Sequence, residues 1–390
     1  MQQMQQMQQF GNDDTDTPRA GIKVTAAQVQ AILDAHGIPS DSDCVVEPVE
    51  CGFNNQTLIV NSKYVLRLCG RHWKETKTLN EMVALTILGE SMPEFAPRLL
   101  GYQCKASGLL AYEYILMTKL EGSNLEELWP SLTLPQKLDA VRQIAKILHR
   151  VRTTGSWKET GSLSLAPDGR TVVVVDDLIG FGRASSWATA IENKIRTQVE
   201  KLENLAIDSI LRPLQSLLPR IRQFQALFHE QGAAWIDAEN NATVVFTQGD
   251  FELRNVIGRL ESGRIVVSGL VDYEFAGPAD WLREWHEGFS FAGCRLVDEL
   301  DEPDEAEAEA ISDLSALRSA FLEEASALGI KVPLMSDPAV VKACRVYHLC
   351  EYILPWWLAD VKQVPGDDRN QERLRRAMER LDKYLGFFGL

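Results

Sequence analysis

Three polar residues near the middle of the chain have the side chains that metal-assisted phosphoryl transfer requires. Asp250 and Asn255 lie in the segment Thr247-Gln-Gly-Asp-Phe-Glu-Leu-Arg-Asn255, and Asp272 ends an apolar run that begins at Ile265. Mg²⁺ takes carboxylate and amide oxygens together with phosphate oxygens and water. A carboxylate can also accept the proton of an attacking hydroxyl group. These residue types predict Asp250 as a catalytic base and Asn255 and Asp272 as magnesium ligands.

The order of these residues is more informative than any one of them. An isolated Asp-x4-Asn pattern is common by chance, and Asp250 could be a turn residue while Asn255 starts a strand. Here the pair has the spacing of a kinase catalytic loop, and a strand–turn–strand pattern then leads to Asp272. The combination favours a kinase-type site.

The motifs around these residues resemble those of the aminoglycoside phosphotransferase family, particularly its fungal-type branch. That family has His-Gly-Asp-x4-Asn and then Asp-Trp/Phe-Glu-x-Ala-Gly-x-Pro. This chain has Gln-Gly-Asp-x4-Asn ending at Asn255, and then Val-Asp-Tyr-Glu-Phe-Ala-Gly-Pro-Ala-Asp ending at Asp280. The resemblance covers roughly residues 45–285 and, more weakly, the C-terminal helices.

The resemblance implies an α+β, protein-kinase-like bilobal fold with a small β-rich N-terminal lobe and a larger, mainly helical C-terminal lobe. It implies ATP as co-substrate, Mg²⁺ as cofactor, and transfer of the γ-phosphoryl group to a hydroxyl of a small molecule. Aminoglycosides, amino-alcohols and other metabolites are the expected acceptors. We expect a monomer or a homodimer.

The N-terminal part of the chain contains further matches to this family. Gly-Phe-Asn-Asn at residues 52–55 resembles its nucleotide-positioning loop, and Arg67 stands where kinases carry a phosphate-contacting lysine. Residues 114–122 resemble the hinge, whose backbone would contact adenine. The nucleotide-binding residues implied are Asn54, Arg67, Glu81 as partner of Arg67, Thr118 and Leu120.

Two of these residues have simpler explanations. Thr78 and Glu81 have the spacing of a capping box, which would account for Glu81 without an ion pair. Arg67 could be a solvated strand residue. Asp280, in contrast, is expected to be a helix N-cap and not a catalytic residue.

Hydrophobic periodicity predicts the elements that position these residues. A Gln/Met-rich tail at residues 1–20 is expected to be disordered. Residues 21–122 are expected to form the N-terminal nucleotide-binding lobe, which includes a hairpin at residues 57–68 and ends in the hinge. Residues 123–390 are expected to form the catalytic and acceptor-binding helical lobe, in which the acidic run 298–309 is interpreted as a solvated loop.

Composition limits the possible partners. The 390-residue chain has a formal net charge of -15, whereas nucleic acid and anionic membrane surfaces require basic patches. The longest uncharged apolar run, at residues 352–359, is far shorter than the roughly 20 residues of a membrane helix. Seven scattered cysteines without a CxxC pair predict reduced thiols and a cytoplasmic protein.

Two other functions remain open at this stage. Gln248 replaces the family histidine, which would suit a catalytically silent pseudokinase that acts as a nucleotide-binding scaffold. A protein Ser/Thr kinase is disfavoured by the missing G-x-G-x-x-G loop and by the lack of an A-P-E-like segment after Asp272.

The charges that follow Asp272 suggest a preference for the acceptor. Glu274, Glu284 and Glu287 come soon after it, and carboxylates near a cleft attract amines. We therefore expect a cationic or neutral acceptor.

Overall fold

The structure, a computed structural model, describes residues 9–11, 19, 21–39, 44–49, 52, 54–70, 75–105, 108–236, 244–294, 305–333, 336–358 and 367–390. These residues belong to two units, each made of several stretches of chain. The first unit takes in Met1–Gly155, Leu163–Val173 and Gln248–Gly277, and the second takes in Ser156–Ser162, Val174–Thr247 and Pro278–Leu390. Residues 123–155 and 248–277, which we assigned to the C-terminal lobe, thus group with the N-terminal residues.

A five-stranded antiparallel sheet forms the N-terminal part of the first unit. Its strand order is β3-β4-β5-β7-β6, with β3 at Val46–Val49, β4 at Asn55–Val60, β5 at Tyr64–Cys69, β6 at Leu99–Gln103 and β7 at Tyr114–Thr118. The predicted hairpin is confirmed as β4 and β5, in which Thr57 lies opposite Arg67. The fully buried Leu58, Leu66 and Leu116 belong to the core of this sheet.

Four helices belong to the first unit: α1 at Ala26–Ala35, α2 at Thr76–Ser91, α3 at Leu125–Leu128 and α4 at Leu134–Arg152. The capping box predicted at Thr78 and Glu81 is wrong, because α2 begins two residues earlier and both residues lie inside it, buried. The backbone amide of Glu75, at the start of α2, instead donates to the Glu113 carboxylate at 2.9 Å.

A second hairpin carries the residues around Asp272. Strand β12 (Val256–Glu261) pairs with β13 (Arg264–Leu270) on one side and with the short β8 (Ser123–Asn124) on the other. Gln143 of α4 fastens the hairpin, since its amide donates to the carbonyl of Ile265 at 2.9 Å and accepts from the amide of Val267 at 3.0 Å. The hairpin therefore has a fixed position on α4.

The remaining strands form two-stranded sheets. Strand β1 (Gln9–Gly11) pairs with β2 (Lys23–Thr25), β9 (Ser162–Leu165) with β10 (Val172–Val175), and β11 (Val244–Thr247) with β14 (Gly277–Asp280). The β1–β2 pairing means that residues 9–11 of the tail predicted to be disordered are in regular structure. Residues 1–8, 12–18 and 20 of that tail lie outside the described residues.

The second unit is mainly helical. Its helices are α5 at Trp187–Glu203, α6 at Leu218–Ile236, α7 at Trp281–Glu287, α8 at Glu305–Ala327, α9 at Pro338–Ile353 and α10 at Asp368–Phe387. Asp280 is confirmed as an N-cap, because its carboxylate accepts from the amide of Leu282 at 2.8 Å. The loop predicted at 298–309 is wrong from Glu305 onward, where α8 begins; residues 298–304 lie outside the described residues.

The described part of the chain contains no helix that is long and apolar enough to cross a membrane. The described cysteines are free thiols, namely Cys44, Cys69, Cys104, Cys294, Cys344 and Cys350. An N-terminal antiparallel sheet followed by a mainly helical remainder agrees with the predicted α+β class.

Candidate active site

Hydrogen bonds orient the carboxylate of Asp250, which lies in the loop before β12. The side-chain amide of Asn255 donates to the backbone carbonyl of Asp250 at 2.8 Å and to its Oδ2 at 2.9 Å. The guanidinium of Arg254 donates to Oδ1 at 2.5 Å. The Asp250 side chain remains 28% exposed, so this oriented carboxylate is accessible from solvent.

Gln248 connects this loop to the segment that carries Asp272. Its side-chain Nε2 donates to the backbone carbonyls of Val271 at 3.1 Å and Asp272 at 2.7 Å. Its Oε1 accepts from the backbone amide of Asp250 at 2.7 Å. The fully buried amide therefore has an architectural role, holding the backbones of the two aspartates together.

The β12–β13 hairpin brings Asn255 beside the end of β13. The backbone amide of Val271 donates to the carbonyl of Asn255 at 2.9 Å, and Val256 lies opposite Leu270 in the register. Asp272 follows directly with φ at 62°, a left-handed conformation that is unfavourable for a residue other than glycine and is common at functional sites. The structure thus places Asp250, Asn255 and Asp272 together, as the sequence predicts.

Gly249 is required between Gln248 and Asp250. Its φ is +87°, and a Cβ atom at this position would lie 2.3 Å from the backbone oxygen of Phe275. A larger residue would therefore separate the loop that carries Asp250 from the segment after Asp272.

Arg67 is the centre of a buried ion-pair network. Its Nη2 lies 2.8 Å from Oδ1 of Asp272, and its Nη1 donates to Glu81. Nη2 also lies 3.3 Å from Oε2 of Glu274. The partnership of Arg67 with Glu81 is present in the structure, and neither residue is solvated.

Glu274 belongs to this network and does not face solvent. Its two carboxylate oxygens each accept from an asparagine side chain, Asn54 and Asn55, at 2.6 Å. The ammonium of Lys77 lies 3.5 Å from Glu274 and donates to Oδ1 of Asn55 at 2.9 Å. The structure therefore links the loop around Asn54 to the residues that follow Asp272.

The burial of Glu274 and Glu284 contradicts the expectation that these glutamates form an acidic surface facing the acceptor. Both glutamates are buried. Glu274 pairs with Arg67 and Lys77 of its own unit. Glu284 lies on α7 of the second unit, where its side chain is turned inward. The side chain of Glu287 lies outside what the structure describes. The two glutamates whose surroundings are described therefore do not support a preference for cationic acceptors.

The network contains more negative than positive charge. Carboxylates come from Glu81, Asp272 and Glu274, and cations from Arg67 and Lys77. Burial, together with the neighbouring carboxylates, raises the pKa of Glu81 and of Asp272, and Arg67 opposes this rise. Burial lowers the pKa of Arg67, but its three carboxylate partners outweigh burial and hold this pKa above its ordinary value. A cation added beside Asp272 would relieve the excess of negative charge.

The residues present fit a magnesium ion. Asp272 keeps a third of its side chain exposed and uses Oδ1 for Arg67, which leaves Oδ2 for another partner. The Nδ2 of Asn255 donates to Asp250. The amide oxygen Oδ1 of Asn255 is therefore the atom that could bind a metal ion. One carboxylate oxygen and one amide oxygen form the kind of partial ligand set that Mg²⁺ completes with phosphate oxygens and water.

The expected hinge lies at the end of β7. The backbone amide of Thr118 donates to the carbonyl of Arg98 at 3.0 Å, and that of Lys119 donates to the carbonyl of Lys63 at 2.8 Å. An adenine at this position would therefore have to use backbone carbonyls or the amide of Leu120. Thr118 and Leu120 remain a prediction in this role.

The sequence did not predict the observed contacts of three residues of this site. Lys77 and Arg254 gave no motif signal, although Arg254 immediately precedes Asn255. Glu274 was assigned to the wrong surroundings, although its position in Val-Asp-Tyr-Glu matches the glutamate of the family motif. Their roles depend on contacts across the chain, such as the pair of Arg67 and Glu274 at a separation of 207 residues.

Comparison with protein families gives a match to the phosphotransferase enzyme family over residues 45–285. The matched segment includes every residue of the candidate site. A comparison of the sequence with curated proteins found no match.

Solved structures with the same fold include several aminoglycoside phosphotransferases. ADP-bound APH(2″)-Ib has a TM-score of 0.53 at 11% identity, over 93% of this chain and 99% of that one. The GDP and kanamycin complex of APH(2″)-IIIa has a TM-score of 0.51 at 14% identity, over 92% and 98%. The streptomycin–ATP complex of APH(2″)-IIa has a TM-score of 0.50 at 12% identity, over 92% and 99%. At these identities the likeness shows the kinase-like fold.

Proposed function

Because the chain belongs to the phosphotransferase enzyme family, we propose that it transfers the γ-phosphoryl group of ATP to a hydroxyl group of a small molecule. One observation carries this proposal: Asn255 donates a hydrogen bond directly to Asp250, and Gln248 joins the backbones of Asp250 and Asp272. This is the arrangement that phosphoryl transfer needs, with a base, two metal ligands and a rigid frame.

The proposed reaction is a direct in-line displacement. The hydroxyl oxygen of the acceptor forms a bond to the γ-phosphorus, the bond from that phosphorus to the bridging oxygen of ADP breaks, and Asp250 takes the hydroxyl proton. Arg254 and Asn255 each bind one oxygen of Asp250, so they orient the carboxylate toward the acceptor. Positioning and charge neutralisation supply most of the catalysis in this class of reaction.

Asn255 and Asp272 would hold the magnesium ion, which neutralises phosphate charge when bound. Arg67 would steady the phosphates with the part of its guanidinium that Glu81 and Asp272 leave available. Asn54, fixed by Glu274, would place the nucleotide-positioning loop. Thr118 and Leu120 would contact the adenine through their backbones.

The ligands of two solved structures support the choice of an acceptor class. Complexes with kanamycin and with streptomycin exist for proteins of the same fold, and both compounds carry several hydroxyl groups. We propose a polyhydroxylated or amino-alcohol acceptor and do not assign its charge.

A phosphoryl-transfer screen tests the proposal. Purified protein with Mg²⁺ and either labelled ATP or labelled GTP is incubated with kanamycin, streptomycin and a panel of hydroxylated metabolites, and the phosphorylated product is identified by mass spectrometry. Both donors are needed because the relatives were solved with adenine and guanine nucleotides. Asp250→Asn is the inactive control, and Asp139→Asn makes the same change at an exposed site on α4.

The wild-type protein and Asp139→Asn should form product, and Asp250→Asn should be slower by about 10²–10⁴-fold, the usual contribution of a general base. Nucleotide binding without product from any acceptor would favour the pseudokinase alternative. Phosphorylation of a protein serine or threonine in place of the small molecules would favour a protein kinase. Turnover of Asp250→Asn within a few-fold of wild type would exclude Asp250 as the base.

Asp272→Ala tests the metal assignment separately. The substitution removes a carboxylate ligand, so the gain in ATP affinity that Mg²⁺ gives the wild-type protein should disappear. Calorimetry with and without Mg²⁺ measures this difference. An unchanged Mg²⁺ dependence would remove Asp272 from the metal site.

A further inference from the structure

Three metal-binding side chains meet in the second unit, on helices that take no part in the site described above. His286 lies on α7, and His348 and Glu351 lie three residues apart on one face of α9. One ligand atom from each residue can be chosen so that all three lie within 4.8 Å of one another. The cluster therefore joins two helices through groups that bind transition metals.

The distances in this cluster are too long for good hydrogen bonds. Nε2 of His286 lies 3.5 Å from Oε1 of Glu351, and Nδ1 of His348 lies 3.9 Å from Oε2. Hydrogen bonds between nitrogen and oxygen are about 2.7–3.2 Å long. Two ligands of a tetrahedral zinc ion, each about 2.0–2.2 Å from the metal, lie about 3.4 Å apart. The observed separations are closer to a set of metal ligands than to a set of hydrogen bonds.

The ring nitrogens of His348 provide a further argument for a bound ion. It is 5% exposed, and within the described part of the chain neither of its ring nitrogens has a hydrogen-bond partner. A buried polar group without a hydrogen bond destabilises the folded protein. A cation between His348 and Glu351 would satisfy one of these nitrogens.

The rings are held in place by aromatic neighbours. The ring of His286 packs against Tyr347 at a centroid distance of 5.0 Å, and His348 stacks on Tyr384 at 5.6 Å. Glu351, in contrast, is 30% exposed at its side chain. The imidazoles are thus preorganised, and the carboxylate provides both an adjustable ligand and a route for an ion from solvent.

We propose that His286, His348 and Glu351 bind a divalent transition-metal ion, with Zn²⁺ as the best match, in a site that fastens α7 to α9. Two imidazoles and one carboxylate form a ligand set typical of zinc, whereas Mg²⁺ prefers oxygen ligands alone. A water molecule completes the tetrahedron on the exposed side of Glu351. The site is separate from the magnesium ligands, and its proposal does not depend on the proposed reaction.

Metal titration of the full-length protein tests this site. The protein is treated with a chelator, dialysed, and titrated with Zn²⁺ by calorimetry and with Co²⁺ by visible absorption, since Co²⁺ reports tetrahedral coordination. The titrations are repeated in Asp272→Asn to remove uptake by the candidate active site. We expect one equivalent of metal in both proteins, tetrahedral cobalt bands, and a melting temperature that rises with Zn²⁺.

Two substitutions locate the bound ion. Glu351→Gln keeps the shape of the side chain and removes its charge, and His348→Gln removes one imidazole; each should weaken Zn²⁺ binding at least tenfold. The control is Glu192→Gln, which changes the exposed pair of Glu192 and His229, 2.6 Å apart on other helices. This control should bind like wild type.

Absence of stoichiometric Zn²⁺ in the wild-type protein would overturn the proposal even if a variant failed to fold. The cluster would then be a metal-free arrangement of two imidazoles around a carboxylate. Equal binding by wild type, Glu351→Gln and His348→Gln, or loss of binding in Glu192→Gln, would place the ion elsewhere and overturn it as well.

Discussion

The amide of Gln248 occupies a position where a side chain must both donate and accept hydrogen bonds. It donates to two backbone carbonyls and accepts from the amide of Asp250. A neutral histidine, the residue of the family motif, has one donor and one acceptor nitrogen. The replacement that suggested a silent pseudokinase thus preserves the contacts that an architectural residue needs.

Two substitutions of Gln248 should therefore differ in their effect on stability. Gln248→His should change the free energy of unfolding only slightly, because it still joins the two segments. Gln248→Leu has similar size but leaves partly buried backbone groups of Asp250, Val271 and Asp272 without these partners, each at a cost of up to about 1–3 kcal/mol. Urea unfolding of both variants measures the difference. Equal stability of Gln248→Leu and wild type would show that these hydrogen bonds contribute nothing.

Arg67→Gln should cause a large loss of stability. The substitution leaves the carboxylates of Glu81 and Glu274 buried with one positive partner fewer, and breaking a buried ion pair costs about 3–5 kcal/mol. Arg196→Gln breaks an exposed pair with Glu200 and should cost less than about 1 kcal/mol. The urea midpoints of the two variants provide the measurement. A similar small loss in both would mean that the Arg67 network adds no stability.

At this scale, residues within one motif were predictable and residues that meet across the chain were not. Asp250, Asn255 and Asp272 share a local pattern with fixed spacing, so the sequence places them together. Lys77 lies on α2, whereas its partner Glu274 lies in the loop after β13. Their proximity results from tertiary packing, which no local spacing encodes.

At the level of elements, the loop that carries Asp250 and the β12–β13 hairpin hold the candidate site together. The loop is held against residues 271–275 by Gln248 and by the close approach of Gly249 to Phe275. The hairpin is held by Gln143 of α4. The separation of Asp250 from Asp272 is therefore set by backbone contacts as well as by side chains.

Gly249→Ala and Gly263→Ala form a matched pair that tests this support. Both glycines have positive φ, at +87° and +80°, but a Cβ at Gly263 meets no atom within 4 Å. Gly263→Ala should therefore cost only the backbone penalty of about 1–2 kcal/mol. Gly249→Ala should add the displacement of Phe275, about 1–3 kcal/mol more. Thermal unfolding compares them, and equal losses would contradict the close approach.

Elements were predicted well where periodicity decides them and poorly at their ends. Helices α4 and α5 follow clear apolar repeats, and their bounds agree with the pattern. The start of α2 depends on Glu113, a distant residue that binds the amide of Glu75, so the local capping signal was misleading. The acidic residues at the start of α8 alternate with alanine, and glutamate favours both helix formation and the N-terminal end of a helix.

At the scale of the whole molecule, the order of sheet and helices was predictable but the grouping of segments was not. Residues 248–277 return to the first unit through contacts such as Arg67 with Asp272, 205 positions apart in the chain. A reading along the sequence places a boundary where the composition changes, near residue 122. The network that joins β5, α2 and the loop after β13 instead holds residues 248–277 in the first unit.

The final prediction concerns the stability of the molecule at alkaline pH. Burial raises the pKa of the Cys294 thiol to about 12, although Arg318 opposes the rise, from an ordinary value near 9. The protonated thiol lies 3.3 Å from the carbonyl of Ala292, to which it donates. At pH values between about 9 and 12, the Cys294 thiol of the native state keeps a proton that the unfolded chain has released. The free energy of unfolding should therefore fall as pH rises, by up to about 1.4 kcal/mol per pH unit from this thiol.

Cys294→Ala and Cys294→Ser both remove the titrating group, and only serine keeps a donor. Urea unfolding at several pH values above about 9 should give a shallower decline in both variants than in wild type. A decline as steep in the variants as in wild type would assign the alkaline loss of stability to other groups.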